Sequence, residues 1–246
     1  MSLENEFEKV GNWLFRKRSY MPLMLVPIIV FAMLASNDYR PAFSIGWEWK
    51  ALCLFISLAG LTFRSYVVGQ VPKGTSGRNT DGQRAETLNT IGIYSMVRHP
   101  LYLGNFVILL GIVLWTGLWW LALICFLLFW LYYERIMFAE ERYLHKKFGK
   151  EFEEWATRTP AIIPSLKHYR PASLKFSLRT VLKREYPGLF NIAASFFILE
   201  IFDSLCVAWV REIQDFWLYF FVGAGVISVV LRLLKKRTYW LYEEGR

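Results

Sequence analysis

Six stretches of this chain are apolar almost without interruption, at residues 20–36, 51–71, 101–115, 118–133, 189–210 and 216–234. A helix crossing the hydrocarbon core of a bilayer needs about 20 such residues, within a range of roughly 17–25. The second, fifth and sixth stretches meet that length. The first carries Pro22 and Pro27, the latter placed to kink a helix. The third and fourth are short and separated only by Thr116-Gly117. They read as a tight hairpin that can stop short of a full crossing. The expectation is therefore an all-α polytopic helical membrane protein with about six spans, or five if the third and fourth form a partial hairpin. Composition agrees, with 55% hydrophobic and 18% aromatic residues, 20% charged and a mean hydropathy of +0.29. That excludes a disordered chain, a disulfide scaffold, a collagen-like fibre and a soluble enzyme.

The net charge of +9 suits nucleic acid, anionic lipid or simple membrane orientation. Its distribution favours orientation. Basic residues crowd the N-terminal segment (Lys9, Arg16, Lys17, Arg18), the 72–98 loop, the 134–188 stretch and the chain beyond Arg232. Only Arg40, Lys50 and Arg211 fall on the other side, with Arg64 inside a span. By the positive-inside rule both termini and both long loops are expected in the cytoplasm. The N-terminal MSLENEFEKV is acidic and polar, unlike a cleavable signal peptide. Cys53, Cys125 and Cys206 sit inside apolar runs without metal-like spacing and read as packing residues.

Three regions follow: 1–71 with the first two spans, 72–166 with a polar loop, the hairpin and a charged helix, and 167–246 with a basic segment and two further spans. PKGTSGRNTDGQR at 72–84 is irregular in composition. From Glu134 the sequence ERIMFAEERYLHKKFGKEFEEW predicts an amphipathic helix that continues the fourth span and breaks near Gly149. The basic stretch 167–184, with interleaved apolar residues, predicts a helix lying on an anionic leaflet.

The densest polar information precedes the third span, in LNTIGIYSMVRHPLYLGN at 88–105. Pro100 can open a helix. Arg98 and His99 then stand at its start, where free amides attract an anion. Gly104 permits close approach of a ligand or of a neighbouring backbone. An interfacial anchor of Tyr and Arg at the headgroup level explains the same residues equally well. Glu140-Glu141-Arg142 lies on the extension of the fourth span, and the short 116–117 connection brings it back beside His99. A carboxylate, an imidazole and helix-start amides in one pocket would suit a zwitterionic small molecule.

RHPLYLGN, followed about 35 residues later by EERYLHKKFGKEFEEWATRTPAIIP, resembles the membrane methyltransferases that include isoprenylcysteine carboxyl methyltransferase and the phospholipid N-methyltransferases. The resemblance implies S-adenosyl-L-methionine as cofactor. It places Thr90, Gly92, Tyr94, His99, Pro100, Tyr102, Gly104, Glu140 and Glu141 in the cofactor pocket, with Ile163-Pro164 closing over it. Arg98, Glu141 and Arg142 become the residues expected to carry the chemistry. The two spans after Pro164 and the polar insert at 74–84 look most like the bacterial lipid A 1-phosphate methyltransferase branch. The implied acceptor is then an anionic membrane lipid, with Arg64, Arg78 and Arg84 available to its phosphate. An isoprenylcysteine carboxylate or the amine of phosphatidylethanolamine are the alternative acceptors. Methyl transfer is an in-line displacement, so holding acceptor behind methyl can supply on the order of 7–11 kcal/mol.

Glu200 and Asp203, one turn apart in the fifth span, are costly inside a membrane and need a partner or a watery cavity. Arg64 is the candidate partner, and the pair lines either a headgroup entrance or an interspan ion pair. Outside the methyltransferase class, an integral-membrane NADPH-dependent reductase shares a related end block but has a longer core. A transporter or scaffold leaves the polar cluster unexplained. His99, His145 and His168 lack paired ligand spacing, which argues against metal or haem.

Overall fold

The computed structural model describes residues 2–36, 41–72, 74, 83, 85–204 and 214–246. Eight α-helices are present among them: α1 (Leu3–Lys17), α2 (Met21–Ala35), α3 (Trp47–Val68), α4 (Pro100–Leu114), α5 (Trp119–Phe148), α6 (Lys150–Arg158), α7 (Leu178–Phe202) and α8 (Asp215–Arg237). No β-strand occurs among the described residues, only an isolated bridge between Gly92 and Arg170. Three helices, α3, α5 and α8, are long and apolar enough to cross a membrane, while Met24–Ala35 and Pro100–Leu114 are shorter apolar helices. The fourth apolar stretch and the amphipathic helix expected to continue it form one unbroken helix, α5, of 30 residues ending at Gly149, about 45 Å at 1.5 Å per residue. The 15 residues of α4 reach only about 22 Å, so the hairpin is unequal. α7 carries Pro187 and a buried Glu200, and the fifth apolar stretch, 189–210, runs past its end into residues outside those described.

Local chemistry sets the helix ends. Ser2 caps α1 by accepting from the Asn5 amide, with Glu4 and Glu6 in the first turn and Arg16 and Lys17 in the last, matching the helix dipole. The α4–α5 turn closes through Thr116, whose hydroxyl donates to the Val113 carbonyl and accepts from the Leu118 amide. α5 ends at Gly149, which adopts φ +52°, a backbone that L side chains rarely take. Ser177 caps α7. The stretch before it, 170–177, is not helical, so the interfacial helix expected over 167–184 begins only at Leu178. Phe176 packs there on Gly69 and stacks on Tyr66, while the Ser177 amide donates to the Gly69 carbonyl. Those contacts hold the backbone extended.

α3 and α4 pack through small residues, which let helices approach closely in a membrane. A Cβ on Gly60 would lie 2.8 Å from the Ile108 amide and 2.9 Å from the Gly104 carbonyl. A Cβ on Gly104 would meet the Arg64 side chain and, at 3.2 Å, the Gly60 carbonyl. Gly104→Val is therefore expected to cost about 1–3 kcal/mol through overpacking, read as a lowered unfolding temperature in detergent. The apolar core gathers around Trp115, Phe196, Trp217, Leu121 and Ile136. Cys53 and Cys125 are buried in it as free thiols, and Cys206 lies outside the described residues.

Glu200 and Asp203 find their cation in Lys50, not in Arg64. Lys50 Nζ stands 2.6 Å from Glu200 Oε2 and 3.4 Å from Asp203 Oδ2, all three residues being no more than 4% exposed. Arg64 lies 14 residues further along α3, about 21 Å by helix rise, too far to reach them. The interspan ion pair is thus the arrangement found, and Lys50 also sits over the Trp115 ring at 4.7 Å.

Candidate active site

The loop before α4 is built as a zipper against the chain that follows α6. The amides of Arg98 and His99 donate to the carbonyls of Pro160 and Ala161, and the Ser165 amide donates to Met96. The Gly92 amide donates to the Arg170 carbonyl at 2.8 Å, from a backbone with φ +61°. The Ser95 hydroxyl donates to Gly92 and accepts from the Arg170 amide. α6 is clamped to the same loop by the Trp155 indole, which donates to the Tyr94 carbonyl at 2.9 Å. Pro100 opens α4 as expected, but the amides of Arg98 and His99 are spent on backbone carbonyls.

What the zipper presents to α5 is a cluster of charges. Glu141 accepts from Arg98 Nε at 2.8 Å and Nη2 at 3.3 Å, and pairs with His99 Nε2 at 2.8 Å. Glu140 accepts from the Tyr102 hydroxyl at 2.8 Å and faces His99 Nδ1 at 3.6 Å. Arg98 is fixed from behind by the carbonyls of Ala156 and Thr159 at 2.7 and 2.8 Å. Adjacent carboxylates on one helix diverge, yet both reach His99 because its ring sits between them, one nitrogen facing each. The Tyr102 ring stacks on His99 and lies 4.6 Å from that of Tyr133.

Burial of the His99 ring opposes its protonation. Hydrogen bonds to Glu140 and Glu141 and their negative charges outweigh that penalty, so His99 titrates above its usual 6.5. A group raised in this way stabilises the fold while protonated. That contribution is complete below pH 6.5 and is lost as pH climbs through the raised value. Unfolding temperatures of wild type and His99→Gln are expected to differ most at low pH and to converge as pH rises. A gap independent of pH would mean a neutral His99 in the fold. Tyr94 holds its hydroxyl proton well above the ordinary range, through burial first and the Glu140 charge second.

The predicted residues separate into groups. Arg98, His99, Tyr102, Glu140 and Glu141 come together, with Tyr94 at the same loop. Arg142 does not join them: it turns to α1 and pairs with Glu4 at 2.7 Å, being two-thirds buried there. Gly104 faces Arg64 and Gly60 in the α3–α4 contact. Thr90 lines a separate cavity, with Trp155 and Arg170. Arg64 is engaged within the fold: Nε and Nη2 bind Glu185 at 3.1 and 3.0 Å, and Nη1 donates to Asn105 and the Leu101 carbonyl. Four of its five donors are thereby used, leaving little for a phosphate. Arg78 and Arg84 lie outside the described residues, and Ile163 and Pro164 are exposed.

Several members escaped the sequence reading. Asn105 links Arg64 to the Tyr133 hydroxyl, and Glu185 anchors Arg64 from α7. Glu185 had a signal, being the lone acid within the basic stretch 167–184 and its flank. Arg18, beyond α1, approaches Glu140 at 3.9 Å, which no spacing within the motif region could disclose.

The family model for phospholipid methyltransferases matches residues 51–151, which hold both the Arg98–His99 loop end and the Glu140-Glu141 pair. The chain is 31% identical over 167 residues to the nickel-cobalt-cadmium resistance protein NccN of Alcaligenes xylosoxydans xylosoxydans, covering 67% of this chain and 72% of that protein. It is 40% identical over 92 residues to the cobalt-zinc-cadmium resistance protein CzcN of Cupriavidus metallidurans, covering 37% of this chain and 42% of that protein. Over 89 residues it is 36% identical to the protein-S-isoprenylcysteine O-methyltransferase of Schizosaccharomyces pombe, covering 36% of each chain. No solved structure matches it. The matched segment carries the charge cluster and the unequal hairpin that bears it, and by that match and the NccN relationship the chain belongs to the phospholipid methyltransferase family of membrane methyltransferases, which includes the isoprenylcysteine O-methyltransferases.

Proposed function

We propose that this protein transfers a methyl group from S-adenosyl-L-methionine to the polar headgroup of a membrane lipid, at the end of the helix bundle where α4 begins. The observation that carries the reading is the Arg98–Glu141–His99–Glu140–Tyr102 cluster, built inside the family's matched segment. The donor set fits the cofactor's chemistry. Glu140, with a side chain 23% exposed, offers a carboxylate to an ammonium, and the faces of Tyr102 and Tyr133 suit a sulfonium. When bound, the cofactor supplies an activated methyl on that cationic sulfur.

The chain's own part is to hold and to exclude. Arg98 and His99 fix Glu141, and Tyr102 with His99 fixes Glu140, so both carboxylates are oriented before any ligand arrives. An anionic acceptor needs no general base, only removal from water and alignment. Positive loops at this end support a cytoplasmic face of a bacterial inner membrane. Among acceptors we place first a phosphate monoester such as the 1-phosphate of lipid A. The fission-yeast relative supports a prenylcysteine carboxylate as the second reading. The phosphate reading also accommodates relatives named for resistance to divalent metals. A phosphate monoester carries about −1.5 to −2 at pH 7, and methylation limits it to a single negative charge, weakening its hold on cations.

Purified full-length protein with methyl-labelled cofactor and a Gram-negative envelope lipid extract provides the test. Label on the lipid A phosphate is expected. Label on phosphatidylethanolamine, or on a prenylated cysteine peptide offered in parallel, overturns the acceptor and keeps the reaction. No transfer and no binding of S-adenosylhomocysteine overturns both.

A further inference from the structure

Beside the zipper lies a cavity of about 300 Å³, with Thr90, Trp155, Arg158, His168, Tyr169 and Arg170 among its lining residues. No carboxylate lines it. Among the described residues the side chains of Arg158, His168 and Arg170 make no hydrogen bond or ion pair, in contrast to Arg64, Arg98 and Arg142. Two guanidinium groups and an imidazole thus share one concavity without a counter-charge. The repulsion between the two guanidinium groups is relieved by an anion, and guanidinium groups match the geometry of phosphate oxygens. The cavity is also rigidly framed. The Gly92–Arg170 bridge fixes one wall and the Trp155–Tyr94 hydrogen bond another.

The same connecting segment decides the source of the anion. Ile163 is 80% exposed and Leu166 76%, with Tyr169 half exposed beside them. Exposed large apolar side chains on the segment that runs between the lining residues Thr159 and His168 complement an amphiphile, whose chains cover them while its head enters the cationic cavity. We propose that this cavity binds the phosphate of an anionic membrane lipid, with Arg158 and Arg170 as its ligands and Ile163 and Leu166 against its chains. None of these residues lies in the segment matched by the family model. Thr159, one of the lining residues, also accepts from Arg98 through its carbonyl, so a headgroup held there adjoins the charge cluster. That the bound lipid is the methyl acceptor rests on the transfer reading above; its binding does not.

The test uses the full-length protein in a non-ionic detergent and measures affinity for three probes: dihexanoyl phosphatidic acid, dihexanoyl phosphatidylcholine and inorganic phosphate. Wild type is expected to bind the phosphatidic acid best. Arg158→Gln/Arg170→Gln should weaken that binding roughly tenfold or more, and Ile163→Asp should weaken the lipid without changing inorganic phosphate. Lys236→Gln/Arg237→Gln removes the same charge from the end of α8 and should leave binding intact. Equal affinity of wild type and the double arginine variant overturns the site. Inorganic phosphate binding as tightly as the lipid overturns the lipid assignment, as does an equal loss in the α8 control. S-adenosylhomocysteine affinity, unchanged in Arg158→Gln/Arg170→Gln and in the α8 control, and helix content, unchanged in every variant, show that the fold is kept. A wild type that binds lipid but not S-adenosylhomocysteine overturns the transfer reading and leaves the lipid site standing.

Discussion

Glu141→Ala is expected to abolish S-adenosylhomocysteine binding and methyl transfer while the protein still inserts and remains helical. Glu141 takes three charge-assisted contacts, two from Arg98 and one from His99. Its removal leaves the Arg98 guanidinium and the His99 imidazole without their shared acceptor in a partly buried site, where losing a hydrogen bond to a charged group costs roughly 1.5–3 kcal/mol. The loss is concentrated on geometry. Glu140 is steered by the same His99, so both carboxylates lose their register together. Glu141→Gln retains the shape and one acceptor and should be intermediate. Calorimetric titration with S-adenosylhomocysteine reads the effect directly, and near-normal affinity in the alanine variant would remove Glu141 from the cofactor site. Arg142→Ala separates the neighbours. Because Arg142 pairs with Glu4 and not with the cluster, it should retain cofactor affinity and lose only docking of α1.

Lys50→Met produces the second large effect, on stability. It removes the cation that Glu200 and Asp203 share in a region no more than 4% exposed. A cost of roughly 3–5 kcal/mol corresponds to a fall of roughly 6–20 °C in unfolding temperature for a chain of this size. Lys50→Met/Glu200→Gln/Asp203→Asn should recover most of it, since neutral groups pay less to be buried. Below the new unfolding temperature, transfer should continue at the wild-type rate. An unchanged unfolding temperature in Lys50→Met would show the ion pair to be dispensable.

Much of this was legible in the chain. The apolar runs disclosed the helical membrane class, and the 116–117 connection brought the RHP motif beside Glu140-Glu141, because a two-residue turn forces neighbouring helices antiparallel. The break at Gly149 was equally plain. What the sequence concealed were choices among equivalent charges. Arg64 and Lys50 both stood near a span, and only their 14-residue separation along α3 decides which reaches Glu200. Arg142 is adjacent to Glu141 yet points about 100° around the helix, toward α1. Gly104 was ambiguous because a glycine serves ligand and helix equally, and here Gly60 decides.

The two ion-pair systems also differ in when they can form. Arg98 meets Glu141 across 43 residues of chain, whereas Lys50 meets Glu200 across 150. Closing the longer loop costs more conformational entropy and waits for later segments. A chain inserted from its N-terminus can therefore assemble its reactive end as soon as the zipper segment after α6 has emerged. The far end is latched only when α7 arrives. Premature termination after the zipper would leave a charge cluster already in place on a bundle whose Lys50 has no partner, a species that quality control can recognise by its unsatisfied charge within the membrane.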